Sequence, residues 1–243
     1  MTPTHVVVLG WDEHRTADER EAANAAVRAA LEDGESVQVL LDDESALEHD
    51  HPEALDRFRT GFSQASRDAG GTTYRGSLSA CSPALDALLD LDSHHRFVTL
   101  DTLVVEGPDD PLLRYVPDHG DLTLGTAAVA ERVETALAGH PAAVLPADRV
   151  EWRDGDTTVA LDPPNVCVGD ACFDLSRLED ATVDHEAGDL VLAWSASRGV
   201  LGRVLDSVGP ARPSRLALPR DEATRERIET VVGRLRVLLS DGP

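Results

Sequence analysis

Lysine does not occur in this chain of 243 residues. All 22 of its basic side chains are arginine, set against 45 carboxylates, for a formal net charge of -23. Nucleic-acid binding rests on phosphates neutralised by Lys and Arg with release of counterions, and no basic stripe with interleaved aromatics is present. The densest arginine region, Arg212 to Arg236, carries Asp221, Glu222, Glu226 and Glu229 among its cations and reads as a solvated mixed-charge helix. DNA and RNA are thus not expected as partners. Long apolar runs are missing too: no stretch reaches the roughly 18 residues needed to span a bilayer. The opening residues Met1-Thr-Pro-Thr-His lack a basic start and a long apolar run, so no secretory signal is expected. Three cysteines, an odd number, fit a reducing compartment. Together these absences predict a soluble, cytoplasmic protein with no membrane contact. Aromatics are scarce at 4%, so Trp11, Trp152 and Trp194 are expected to serve packing before ligand binding.

What is present in excess is negative charge. At low ionic strength it would oppose the compact state, whereas in molar salt the screening length falls to about 3 Å. Guanidinium is weakly hydrated and pairs well with carboxylates, while lysine brings a long flexible apolar stem. The composition resembles that of halophilic archaeal proteomes. A GC-rich genome acts in the same direction, favouring Arg, Ala, Val, Asp and Gly and leaving one Met and one Ile.

Two textures follow one another along the chain, changing near residue 147. In residues 1–146, apolar runs alternate with helical stretches: strand Val6 to Leu9, an Ala-rich helix from Thr16 to Asp33 ended by Gly34, and strand Val37 to Leu41. A helix over 52–69, a short strand Thr72 to Ser77, a helix Pro83 to Leu91 and a strand within Phe97 to Val105 come next. A loop rich in Gly, Pro and Asp then leads to a helix Thr126 to Ala138 and a strand Ala142 to Leu145. Strands read as apolar throughout and alternating with helices predict a doubly wound α/β domain around a parallel five-stranded sheet. Residues 147–243 predict a small antiparallel β domain. Its turns are Asp154-Gly-Asp156, Pro163-Pro164, Gly169-Asp170 and Glu186-Ala-Gly-Asp189, and it closes with an amphipathic helix from about Asp221 to Leu239.

The order of elements in residues 1–146 resembles the universal stress protein family. Gly125-Thr-Ala-Ala-Val-Ala-Glu-Arg, running on to Pro141-Ala-Ala-Val-Leu-Pro146, is similar to that family's closing helix and strand. Val6-Val-Val-Leu-Gly-Trp-Asp12 is similar to its opening. In its nucleotide-binding members a loop G-x2-G-x9-G-[S/T] cradles phosphates through backbone amides at a helix start. On that resemblance Asp12, Asp42, Gly107, Gly125 and Thr126 would form a nucleotide site. This chain departs from the pattern: Pro108, Asp109 and Asp110 follow Gly107, the second glycine is absent, and Asp118 and Asp121 lie upstream of Gly125. An ATP-independent domain is therefore the expectation, with Gly125-Thr126 as a plain helix cap. Residues 147–243 resemble a pleckstrin-homology-like module, through the hairpin Val166 to Phe173, the strand Leu190 to Ser195 and the final helix. Family members often bind phosphoinositides through basic loops. Arg198 and Arg203 are too few for that, which leaves protein interaction as the implied role.

The remaining candidates are local. Glu48-His-Asp-His51, with His94-His95 and Asp42-Asp43, holds the residue types that suit Zn2+ or Mn2+. Spacing of i, i+2 in a loop is unspecific, so the segment is read as a solvated acidic loop and no metal ligand is assigned. Ser79, Cys81 and Ser82 lack the G-x-S-x-G elbow of a nucleophile, and Ser82-Pro83 reads as a helix cap. A two-residue turn at Gly169-Asp170 places Cys167 opposite Cys172, so a disulfide there is open. The function expected from all this is a non-enzymatic regulatory, stress-response or interaction protein. It would be joined through its second domain to a protein partner and able to form a homodimer through the fifth-strand region. A nucleotide-binding or nucleotide-hydrolysing protein and a metal-dependent hydrolase built on His49, Asp50 and His51 stand as alternatives, and the cofactor is left open.

Overall fold

A computed structural model describes residues 1–10, 16–68, 70–195 and 210–240. Trp11, Asp12, Arg198 and Arg203 lie outside the described residues. The chain divides into two compact units, one of residues 1–7 and 12–140, the other of 8–11 and 141–243.

Helix α1 (Thr16–Leu31) forms where alanine is dense, and Ala22, Ala23, Ala26, Val27 and Ala30 are its fully buried positions. Strand β1 (His5–Leu9) precedes it and β2 (Ser36–Leu41) follows. Two short helices, α2 (Ser45–Asp50) and α3 (Pro52–Gly61), lead to the hairpin of β3 (Ser63–Asp68) and β4 (Gly71–Ser77). After them come α4 (Leu78–Leu89), α5 (Ser93–Thr99), β5 (Leu100–Glu106), β6 (Pro111–Val116), β7 (Asp121–Leu124), α6 (Ala127–Ala136) and β8 (Ala142–Pro146). The sheet runs β3-β4-β2-β5-β6-β7-β1-β8, and each pairing from β3 through to β1 is antiparallel.

The doubly wound parallel five-stranded sheet expected from the sequence is therefore wrong, and this is not the fold of a universal stress protein. Three strands decide the matter. Residues 63–68 end an expected helix but form β3, an edge strand exposed along its whole length. The supposed loop between β5 and the following helix contains β6 and β7. Gly107 to Asp110 joins β5 to β6 as a hairpin, with the Gly107 N–H donating to the Asp110 carbonyl at 3.1 Å. Gly120, at φ 64° after the single turn Pro117–His119, reverses the chain into β7. Connections this short can join only antiparallel neighbours, because a parallel crossover needs a dozen or more residues. The burial pattern agrees: Val37, Val39 and Leu41 of β2 alternate with less buried Ser36, Gln38 and Leu40, the signature of a sheet with one face on the core.

In the second unit β9 (Val150–Asp154), β10 (Thr157–Asp162), β11 (Asn165–Val168) and β12 (Ala171–Asp174) form a four-stranded antiparallel sheet. A three-stranded sheet joins β13 (Leu178–Asp184), β14 (Asp189–Trp194) and β15 (Arg215–Ala217), and the long α7 (Glu222–Ser240) follows. Ile228, Val231, Val232 and Leu235 of α7 pack with Trp152, Val159, Leu161, Val166, Ala181 and Leu190 in one core. The indole N–H groups of Trp152 and Trp194 donate to the carbonyls of Ala217 at 2.8 Å and Pro213 at 2.6 Å. Cys167 and Cys172 face each other across the β11–β12 hairpin and are disulfide-bonded, with Cα atoms 4.0 Å apart.

Candidate functional site

The antiparallel sheet scatters the residues that a nucleotide site would need. Asp42 follows Leu41, which pairs with Leu100 at the start of β5, whereas Gly107 follows Glu106, which pairs with Ser36. The two therefore sit at opposite ends of β5, about 20 Å apart at roughly 3.3 Å per residue. Gly107 and Gly125 do lie near one end: a Cβ on Gly107 would meet Leu112 at 2.8 Å, and one on Gly125 would meet the Pro111 carbonyl oxygen at 2.1 Å. Those close approaches are to the protein's own chain, which accounts for both glycines by packing. The Thr126 hydroxyl accepts from the Val129 N–H at 3.2 Å as the cap of α6. Asp12 falls outside the described residues.

Near α2 and α5 the chain gathers a different set. Pro52 cannot continue α2, so the helix breaks at His51, which caps the C-terminus of α2 and precedes α3 with φ −136° and ψ 54°, outside both helix and strand geometry. At the start of α5, Asp92 accepts the His95 N–H at 3.0 Å as helix cap, and its other oxygen meets His95 Nδ1 at 2.6 Å. Helices α2 and α5 pack together, which brings His51 to the same place. His51 Nε2 lies 4.0 Å from the Asp92 carboxylate, and the His51 and His95 rings meet edge to face with centroids 4.4 Å apart. His95 Nε2 in turn faces Asp50 Oδ2 at 3.3 Å.

One nitrogen or oxygen from each of His51, Asp92 and His95 lies within 4.8 Å of the others. Tetrahedral ligands at about 2.1 Å from a zinc ion are about 3.4 Å apart, a value between the observed 2.6 and 4.0 Å. His51 Nε2 is also buried without a hydrogen-bond partner. In the metal-free protein the Asp92 hydrogen bond pushes the His95 pKa up against the opposing effect of burial, with Asp50 adding to the rise. The His95 N–H and ring hold the Asp92 carboxyl down at about 2, against a smaller opposing effect of burial. A cavity of about 450 Å³ adjoins the cluster, lined among others by Asp50, His51, Arg57, Asp90 and Leu91.

Only part of this set was named by the sequence. Of Glu48-His-Asp-His51, the cluster takes His51 and borders Asp50. Glu48 instead pairs with Arg59 at 3.0 Å, and His49 is 88% exposed. His95 belongs to the cluster and His94 does not. Asp92 is the residue that sequence reasoning missed. Its signal was an Asp immediately before Ser93-His-His95, the place of an N-cap with His three positions on. Cys81 is fully buried and its thiol pKa is pushed up by that burial, the reverse of an activated thiolate. Helix α4 begins at Leu78, so Pro83 lies inside it and Ser82 does not cap it; the Ser82 hydroxyl donates to the Leu78 carbonyl at 3.0 Å.

No family model matches the chain, and no curated protein or solved structure matches it.

Proposed function

We propose that the chain is a divalent-metal-binding protein, with His51 Nε2, Asp92 and His95 Nδ1 as its ligands. The observation that carries this is the buried, unpartnered Nε2 of His51, set 4.0 Å from a carboxylate that already holds His95 Nδ1 at 2.6 Å. Two imidazoles and one carboxylate suit Zn2+, Mn2+ or Fe2+. Asp50, on the far nitrogen of His95, is the outer partner that fixes which ring nitrogen carries the proton and which faces the ion. Among the described residues no second cluster of this kind occurs, and Asp42 and Gly107 of the alternative nucleotide site sit at opposite ends of β5.

A second reading, a metal-dependent hydrolase, is favoured by one feature. Three protein ligands leave a coordination position open, as catalytic zinc sites do, and His51 also lines the 450 Å³ cavity. A metal in such a position supplies an activated water. The distinguishing experiment is calorimetric titration of the full chain with Zn2+ and Mn2+, beside His51→Ala and His95→Ala. One equivalent should bind to the wild type, with affinity at least 100-fold weaker in either variant. Absence of binding by the wild type, or equal binding by the variants, would overturn metal binding. Metal binding without hydrolysis of ester, amide or phosphate substrates would remove only the second reading.

A further inference from the structure

Six buried side-chain polar atoms among the described residues have no hydrogen-bond partner, and four of them belong to Asn24, Arg96 and Thr99. Native interiors leave few such atoms unpaired, and a local concentration of them asks for an ion or water. Arg96 and Thr99 are the buried residues of α5, spaced i, i+3 on one face, at 2% and 0% exposure. The Arg96 Nη2 donates to the Leu89 carbonyl at the end of α4, and Asn24 Nδ2 donates to the same oxygen at 3.0 Å. Arg96 Nε and Nη1, the Thr99 hydroxyl and Asn24 Oδ1 are left over. Burial dominates at Tyr115 and raises its pKa; the Arg96 charge and a hydrogen bond with Arg96 pull it down, and the Glu19 carboxylate pushes it up. The Tyr115 hydroxyl thus meets the fork while Nε and Nη1 stay unpaired.

A guanidinium cannot shed its proton, so burial leaves its charge in place. The C-terminal end of α4 offers about half a negative charge. Among the described residues no carboxylate is paired with Arg96, and a buried charge left without a counter-charge is strongly destabilising. We propose that Arg96 and the Thr99 hydroxyl bind one small monovalent anion in the interior of the first unit. Charge sets the class: a single cation beside the lone pairs of Leu89 and Asn24 balances one negative charge, whereas a phosphate or sulfate dianion would carry an excess into a low-dielectric site. Nε and Nη1 lie on different edges of the planar fork, so the anion serves one and a water reaching Asn24 Oδ1 serves the other. This site uses other side chains than the metal ligands, which are His95 of α5, its cap Asp92 and His51 at the α2–α3 junction.

The test is thermal unfolding of the full chain at fixed ionic strength, with sodium bromide, sodium formate or sodium sulfate in rising proportion. Wild type, Arg96→Met and Thr99→Val are compared, so that general salt effects cancel. Once the free anion exceeds its dissociation constant, each tenfold increase in bromide or formate should raise the wild-type midpoint by an equal step. Arg96→Met should show no such excess, and sulfate should act alike on both. Thr99→Val keeps the side-chain shape and should need about tenfold more anion for the same rise, the worth of a hydroxyl bonded to a charge. It also keeps the test decisive if Arg96→Met does not fold. Parallel responses of wild type and Thr99→Val to every anion would overturn the proposal and leave water alone at the site. A bromide response without a formate response would define a halide site, and the reverse a carboxylate site.

Discussion

Asp50→Ala separates a metal-positioning role from a structural one. Asp50 is the last residue of α2 and 48% exposed, and its one close contact in the cluster is Oδ2 on His95 Nε2 at 3.3 Å. Removing it leaves all three proposed ligands in place. A carboxylate at a helix C-terminus faces the negative end of the dipole, which offsets the half-exposed Asp50–His95 contact, so the metal-free protein should change by no more than a few tenths of a kcal/mol. Metal affinity should respond differently, because losing the outer carboxylate frees the His95 tautomer and typically costs 10- to 100-fold. At a zinc concentration of about 100 times the wild-type dissociation constant, binding stabilises the wild type by about 2.7 kcal/mol. A variant weakened to that extent keeps only about 0.4 to 1.4 kcal/mol under the same conditions. For a chain of this size that is a midpoint gain of about 5–10 °C on adding zinc, reduced to about 1–6 °C. Differential scanning calorimetry with and without zinc, beside a direct zinc titration, measures both quantities. Unchanged zinc affinity in Asp50→Ala would refute the assignment of His95 Nδ1 as ligand. Complete loss of binding would refute it in the other direction, by making Asp50 itself a ligand.

Glu44→Gln should lower stability by about 1–2 kcal/mol at pH 7, because the 16%-exposed carboxylate receives Arg59 at 2.7 Å and Tyr74 at 2.9 Å. Burial opposes its ionisation, but the bonds from Arg59, Tyr74 and Thr72 prevail and lower its pKa. The contribution is therefore complete above the unfolded carboxyl value of about 4.3 and lost as pH falls through the lower folded value. Urea denaturation of both proteins from pH 7 to pH 3 should show the gap narrowing only at the acid end; a constant gap contradicts the linkage. Gly125→Ala should destabilise by at least about 2 kcal/mol, since its Cβ would lie 2.1 Å from the backbone oxygen of Pro111. A thermal midpoint within 2 °C of wild type would count against that packing. Reducing the Cys167–Cys172 bond, which closes a loop with a sequence separation of 5, should cost about 2 kcal/mol by the chain-entropy relation. Urea midpoints with and without a thiol reductant test it, and no change would mean that the hairpin holds its register unaided.

How far the sequence could be read depended on whether local chemistry settled the outcome. The first helix ends near Gly34 and the second strand falls at Val37 to Leu41, since Ala density, a terminating glycine and β-branched residues act within one element. Strand direction is not such a property: an apolar run like Val6 to Leu9 fits a parallel or an antiparallel neighbour equally well. Direction follows from the connections, and the decisive one, Gly107-Pro-Asp-Asp110, resembles a phosphate loop that has lost its second glycine. Its plainer reading is a turn before the apolar run Leu112, Leu113, Tyr115 and Val116, in which Tyr115 and Val116 favour a strand. The same error displaced the site. A parallel sheet would set the ends of its strands on one edge and so bring Asp42 toward Gly107, whereas antiparallel pairing sends them to opposite ends of β5. The cluster that did form could not be assembled from spacing either. His51 and Asp92 are 41 positions apart in sequence and meet only because α2 packs on α5. One half of it was nonetheless readable, because an N-cap carboxylate and an imidazole three residues on are fixed by a single helical turn, and Asp92 meets His95 for that reason alone. A histidine in such a pair is a candidate ligand only when a third donor arrives from elsewhere in the fold. Here that donor is the buried nitrogen of His51, placed by a proline that ends one helix and starts another.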